Sequence, residues 1–134
     1  MYLSSLEVQE MNESREMYLE TILILKKRND GMVRSIDVAR ELNFSKASVS
    51  RAVGLLKDDD FITVDINGYI SLTEKGAEKA KDIYNKHEVL TSFFINIIKV
   101  SPETAEEDAC KIEHVISNDT FKGIEKFLAD NKNN

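Results

Sequence analysis

Punctuation is scarce in this sequence: its 134 residues include one proline, five glycines and no tryptophan. So few breakers favour helices over many short strands. The single cysteine, Cys110, cannot close a disulfide within the chain, which fits a reducing cytoplasm. No apolar run approaches the roughly 18 residues of a membrane span. The opening MYLSSLEVQE has neither the basic start nor the apolar stretch of a leader, so no signal peptide and no membrane partner are expected. Basic charge is also short: 18 Lys and Arg against 24 Asp and Glu, a net of −6 and a pI near 5.0. That balance excludes an indiscriminate binder of nucleic acid, which needs a basic field. The hydrophobic share of 42% is ordinary, and the length suits one or two small units with cores of their own.

The charge that is present is unevenly placed. From Val33 to Lys57 the cations Arg34, Arg40, Lys46, Arg51 and Lys57 face only Asp37 and Glu41, whereas Ser101 to Cys110 holds four acids and no base. Apolar spacing predicts a helix from Asn12 to Arg28, stopped by Asn29-Asp30-Gly31. Ser35 is expected to cap a short helix through Leu42, and Ser45 the next, with Val49, Val53 and Leu56 inward. Two short helices joined at Asn43-Phe44 make a helix-turn-helix. FITVDI and YISLT, turned at Asn67-Gly68, then read as a two-stranded wing. Thr73 caps a long strut from Glu74 to about Ile98, polar first and apolar later. Helices from Pro102 to about Ile116 and from Asp119 to Asn131 complete the chain.

Helix, turn, helix and wing is a winged-helix layout, in which the second short helix enters the major groove. Ser45, Ala47, Ser48 and Arg51 would then face base edges, with Ser50 in the same DNA-binding set. Arg51 suits a bidentate pair with guanine. Lys46, Arg34 and Lys57 would hold phosphates. Taken singly, each of these charges is equally a solvated surface residue, and winged helices also serve as protein-contact modules.

Cys110-Lys111-Ile112-Glu113-His114 is more specific. On one helix, positions i, i+3 and i+4 share a sector about 100° wide, so a thiolate, a carboxylate and an imidazole point together, all transition-metal ligands. Glu106 lies one turn earlier. Met17 and Glu20 offer a thioether and a carboxylate on the first helix, and His87 sits midway along the strut. Alone, Cys110 and Met17 would be core residues and His87 a surface histidine.

These motifs in this order resemble the DtxR/MntR family of metal-dependent repressors: EMYLETI (Glu16 to Ile22), S-x-x-S-V-S (Ser45 to Ser50), L-T-x-x-G (Leu72 to Gly76), Lys86-His87 and A-C-x-x-E-H-x-x-S (Ala109 to Ser117). The resemblance covers Asn12 to Leu128. It implies a regulatory site of Met17, Cys110, Glu113 and His114, as in iron-responsive members, and a second site that uses His87. Manganese-type members carry a glutamate that matches Glu20, and stop after the dimerisation domain. Four positions depart from the iron type: Thr91 replaces a glutamate, Glu106 a histidine, Ala47 a proline and Arg51 an uncharged amide.

The expected fold is mainly α: a winged helix-turn-helix domain over 1–73, then an all-helical dimerisation and metal-binding domain over 74–134. The expected function is a metal-activated, sequence-specific repressor that controls iron or manganese homeostasis. Its cofactor is ferrous iron first and manganese second, with cobalt, nickel, zinc or cadmium as substitutes in vitro. Operator DNA and a second copy are the partners, the copies meeting through Phe93, Phe94, Ile97, Phe121 and Phe127. No hydrolase motif is present, so neither an enzyme nor a small organic substrate is expected. The alternatives are a winged-helix regulator that senses thiol oxidation at Cys110, and a dimeric interaction module with structural zinc.

Overall fold

The computed structural model describes residues 5–131, with side chains from Glu13 onward. The chain forms two compact units, Met1–Lys81 and Asp82–Asn134. Among the described residues no helix is long and apolar enough to cross a membrane.

The first unit opens with α1 (Ser5–Arg28), which begins upstream of the predicted Asn12. Tyr18, Leu19, Ile22, Leu23 and Leu25 form its buried face. Its end is the predicted one: Asp30 and Gly31 take positive φ, and the Gly31 N–H reaches back to the Lys26 carbonyl. α2 (Ser35–Leu42) is capped by Arg34 rather than Ser35. The Asp37 carboxylate accepts from the Arg34 backbone N–H at 2.9 Å, which starts the helix one residue early and leaves Ser35 inside its first turn. Asn43, left-handed at φ 56°, turns the chain into α3 (Lys46–Asp58). There Ser45 caps as predicted, accepting from the Ser48 N–H, and Val49, Val53 and Leu56 are buried.

β1 (Ile62–Val64) and β2 (Ile70–Leu72) pair antiparallel, Ile62 opposite Leu72 and Val64 opposite Ile70. The strands are shorter than predicted, and the turn is not a two-residue one. Asp65 Oδ1 accepts from the Asn67 and Tyr69 N–H groups, both at 2.9 Å. This carboxylate gives the amides of the turn a local partner, while the Asp65 N–H still donates to the Tyr69 carbonyl across the strands. The Ile70 N–H donates to the Val33 carbonyl and ties the wing to the linker before α2.

α4 (Glu74–Phe93) starts against the wing. Thr73 Oγ1 accepts from the Gly76 N–H and donates to the Asp60 carbonyl, and Lys75 Nζ donates to the Asp59 carbonyl. A Cβ at Gly76 would run into the Phe61 carbonyl oxygen, which accounts for the glycine of the L-T-x-x-G motif. These contacts keep the first turns of α4 with the first unit, so the units part after Lys81.

In the second unit α4 passes into a π-helical turn, Phe94–Ile98, stopped by left-handed Lys99. α5 (Pro102–Ile112) is capped by Ser101. It ends before the predicted Ile116, because Val115 and Ile116 both donate to the Ile112 carbonyl while Ser117 already caps α6 (Asn118–Asn131). The core is Leu90, Ala109 and Phe121, ringed by Val89, Phe94, Ile112, Ile116 and Ile124. Phe121, predicted on a dimer surface, is thus spent inside its own unit. Phe93 packs against Phe94 and Phe127, and Phe127, Ile97 and Ile98 stay exposed.

Candidate metal centre and nucleic-acid interface

The second unit gathers three donors of different chemistry. α4 supplies His87, the last full turn of α5 supplies Cys110, and Glu113 follows as the residue that caps the helix end. One nitrogen, one sulfur and one oxygen from these side chains lie within 4.8 Å of one another. His87 Nδ1 is 2.8 Å from Glu113 Oε2 and 3.9 Å from Cys110 Sγ, while Nε2 is 2.9 Å from Glu106 Oε1. The arrangement is graded in exposure: the Glu113 side chain is 1% exposed, His87 14%, Glu106 59%.

A carboxylate as buried as Glu113 is costly without compensation. Oε2 has the His87 ring. Oε1 is buried without a hydrogen bond, and His114 Nε2 lies 3.3 Å away in an ion-pair contact. The Cys110 sulfur, then the Glu113 carboxylate, and after them Glu106 favour the protonated His87 ring. Burial opposes them, and the His87 pKa is pushed up to about 11. The imidazolium therefore balances the carboxylates. A nitrogen, a sulfur and a buried oxygen with an unspent lone pair fit a divalent transition metal. Thr91, one turn after His87, adds a second buried oxygen without a hydrogen bond.

The other predicted ligands have different settings. His114 lies in the turn beyond α5, half-buried, and not on the helix face that the spacing suggested. It stands outside the three-residue cluster but touches Glu113. Met17 and Glu20 lie half-buried on α1, in the first unit, where the Met17 carbonyl accepts from Thr21 Oγ1.

The predicted DNA-reading residues fall on one element. Lys46, Ala47, Ser48, Ser50 and Arg51 are exposed in the N-terminal half of α3 behind the cap Ser45, and Lys57 is exposed in its last turn. Ser45 and Ser48 also hydrogen-bond each other, at 2.9 Å between their hydroxyl oxygens. Arg34 stands at the wing's base with its guanidinium carbon 4.3 Å over the Tyr69 ring, a stacking contact. Lys26 donates to the Ile70 carbonyl at 2.8 Å. Neither Tyr69 nor Lys26 carried a local signal in the sequence, since each acts through a partner more than thirty positions away.

Residues 10–69 match the family profile of the iron dependent repressor, N-terminal DNA binding domain, and residues 73–134 that of its metal binding and dimerisation domain. A helix-turn-helix transcriptional regulator of Methanocaldococcus jannaschii is 31% identical over 88% of this chain and 94% of its own length. The chain belongs to the DtxR/MntR family of metal-dependent transcriptional repressors. Within this family the iron-dependent repressor IdeR of Mycobacterium tuberculosis is 30% identical over 90% of this chain and 52% of its own. The solved structure of the manganese regulator SloR is 29% identical, with a TM-score of 0.76 over 86% of this chain and 53% of that one. The chain thus spans nearly all of the archaeal regulator and about half the length of the other two. Its winged-helix and helical units are those of the DtxR/MntR fold.

Proposed function

We propose that this chain is a metal-activated, sequence-specific repressor that works in the cytoplasm as a homodimer and governs the supply of ferrous iron, with manganese as the second choice. The observation that carries the proposal is the convergence of His87, Cys110 and Glu113, with one oxygen of the buried carboxylate taking no hydrogen bond. In this reading Met17, Glu20, His87, Glu106, Cys110, Glu113 and His114 are the metal ligands. A bound divalent ion supplies coordination bonds to these donors and replaces the positive charge that the His87 imidazolium otherwise provides. His87 and Cys110 give up protons to serve as ligands, and Glu113 keeps the carboxylate it already has. Two sulfurs, from Met17 and Cys110, favour iron over manganese, which prefers oxygen with some imidazole.

In this reading residues 1–73 read DNA, and 74–134 dimerise and hold metal, a division that the two family profiles support. Donors drawn from α1 and from the second unit can converge only in one mutual orientation of the units. In a two-fold dimer that orientation sets the spacing of the two α3 helices, which must match half-sites about one DNA turn, or a multiple of it, apart. Ser45, Ala47, Ser48, Ser50 and Arg51 meet base edges, while Arg34, Lys46 and Lys57 hold phosphates.

Fluorescence anisotropy with a duplex selected from a randomised pool by the cobalt-loaded protein tests the proposal. Affinity should rise with ferrous or cobalt ion and fall with a chelator. Equal affinity in both states would overturn the metal switch. A second reading, thiol-oxidation sensing, draws on the exposed Cys110 sulfur beside the His87 ring. It requires peroxide to change operator affinity in chelator-treated protein.

A further inference from the structure

The wing ends in a loop that presents an apolar side chain to solvent and to nothing else. Ile66 is 100% exposed. A single exposed isoleucine is ordinary on a protein surface, but the setting of this one is not. The loop beneath it is pinned four times. Asp65 Oδ1 accepts from the Asn67 and Tyr69 N–H groups, the Gly68 N–H donates to the Asp65 carbonyl, and the Asp65 N–H donates to the Tyr69 carbonyl. Gly68, at φ 86°, makes the turn with open space where a Cβ would stand. The tip is therefore slim and held in shape, and the acid beside it has one carboxylate oxygen spent on its own backbone. Two cations sit at its base: Arg34 stacked on Tyr69, and Lys26 bound to the Ile70 carbonyl and the Ser71 hydroxyl.

A slim apolar tip above a pair of cations suits the minor groove of DNA. That groove is about 6 Å wide, and A·T pairs line its floor with acceptors only, whereas G·C adds an amino group. Isoleucine is among the side chains that wedge against base steps there, and asparagine among those that read its floor. We propose that Ile66-Asn67-Gly68 enters the minor groove flanking the major-groove half-site and gives the protein a preference for A·T pairs that α3 does not touch. Ile66 is the wedge, the Asn67 amide faces the floor, and Arg34 and Lys26 meet the phosphate walls. The proposal rests on the DNA-binding reading above.

The test uses the cobalt-loaded full chain, the duplex it selects, and variants of that duplex at the flanking A·T pairs. Inosine·cytosine keeps the minor-groove face of A·T, whereas guanine·cytosine adds the amino group. Native protein should bind the A·T and inosine·cytosine duplexes alike and the guanine·cytosine duplex more weakly. Ile66→Ser should lose about tenfold in affinity, the value of one buried aliphatic side chain, and narrow the guanine penalty; Ile66→Leu should retain both. Since Ile66 makes no contact within the unit, thermal stability should be unchanged in both variants. Equal binding by native and Ile66→Ser protein, with no guanine penalty, overturns the minor-groove proposal. Loss of affinity in Arg51→Ala within the same series would leave the DNA-binding reading standing, whereas failure of the native protein to select any duplex would remove that reading itself.

Discussion

His87 has both ring nitrogens committed to carboxylates, Nδ1 to Glu113 and Nε2 to Glu106, with the Cys110 sulfur beside them. Its pKa, raised from 6.5 to about 11, means that the folded state holds this proton more tightly than the unfolded chain does. The resulting stability is fully present below pH 6.5 and drains away as pH climbs towards 11. In chelator, native protein should therefore lose melting temperature between pH 7 and pH 10 more steeply than His87→Gln. Parallel slopes would show that the ring contributes nothing through its proton. Metal affinity should run the other way and rise with pH, because the ring must deprotonate to coordinate. At the proposed DNA face the residues divide by what each is expected to meet. Arg51→Ala should cost about 1–3 kcal/mol and relax preference at one base pair per half-site, whereas Lys46→Ala should weaken all sequences alike and flatten the salt dependence. Identical behaviour across a set of operators would remove the assignment of α3 as the reading helix.

Elements start and stop here where side chains close on their own backbone. Ser45, Thr73, Ser101 and Ser117 each accept from an amide three residues on, and each cap is worth about 1 kcal/mol. Glycine has two opposite meanings within the helices. At Gly123 a methyl group would meet nothing within 4 Å, so Gly123→Ala on α6 should stabilise by roughly 0.5–1 kcal/mol through helix propensity. At Gly76 the same gain is available in principle, but the obstacle is the Phe61 backbone oxygen, which cannot rotate aside. Overpacking of about 1–3 kcal/mol outweighs the propensity gain there, and Gly76→Ala should destabilise. Denaturant midpoints of the two variants give the signs; a stabilised Gly76→Ala would mean that the wing and α4 are not held in the described contact.

Two units with separate cores make a molecule whose proposed ligands belong to both: Met17 and Glu20 in the first, the remaining five in the second. On that proposal the metal preference draws on residues of both units. Replacing both sulfurs, in a Met17→Asp, Cys110→Glu double variant, should shift the balance from iron towards manganese. The check is operator binding against free ferrous and manganous ion. Native protein should respond to iron at the lower concentration, and the variant should narrow or reverse the gap. If native protein responds to both alike and the variant changes nothing, the sulfurs are bystanders.

Periodicity and capping chemistry are local, and on their own they determined the helix-turn-helix, the Ser45 cap, the Asn29-Asp30-Gly31 stop and the buried face of α3. The ordered motifs, read together, also determined the family. Local signals failed where two partners competed for one backbone group. Asp37 took the α2 start from Ser35, Asp65 replaced a two-residue turn with its own carboxylate, and Ser117 cut α5 short by opening the next helix. The sequence also made Phe121 look like surface for a second copy, because a helix face states only that it is apolar. Which apolar face stays inside the unit is decided by packing, and Leu90 and Ala109 claim Phe121. The cluster itself was half legible. Spacing along α5 united Cys110 with Glu113, but the fold alone brought His87, from another helix, between Glu113 and Glu106. Contacts across nineteen or more residues leave no trace in local spacing, and the charge balance that holds the His87 proton arises only there.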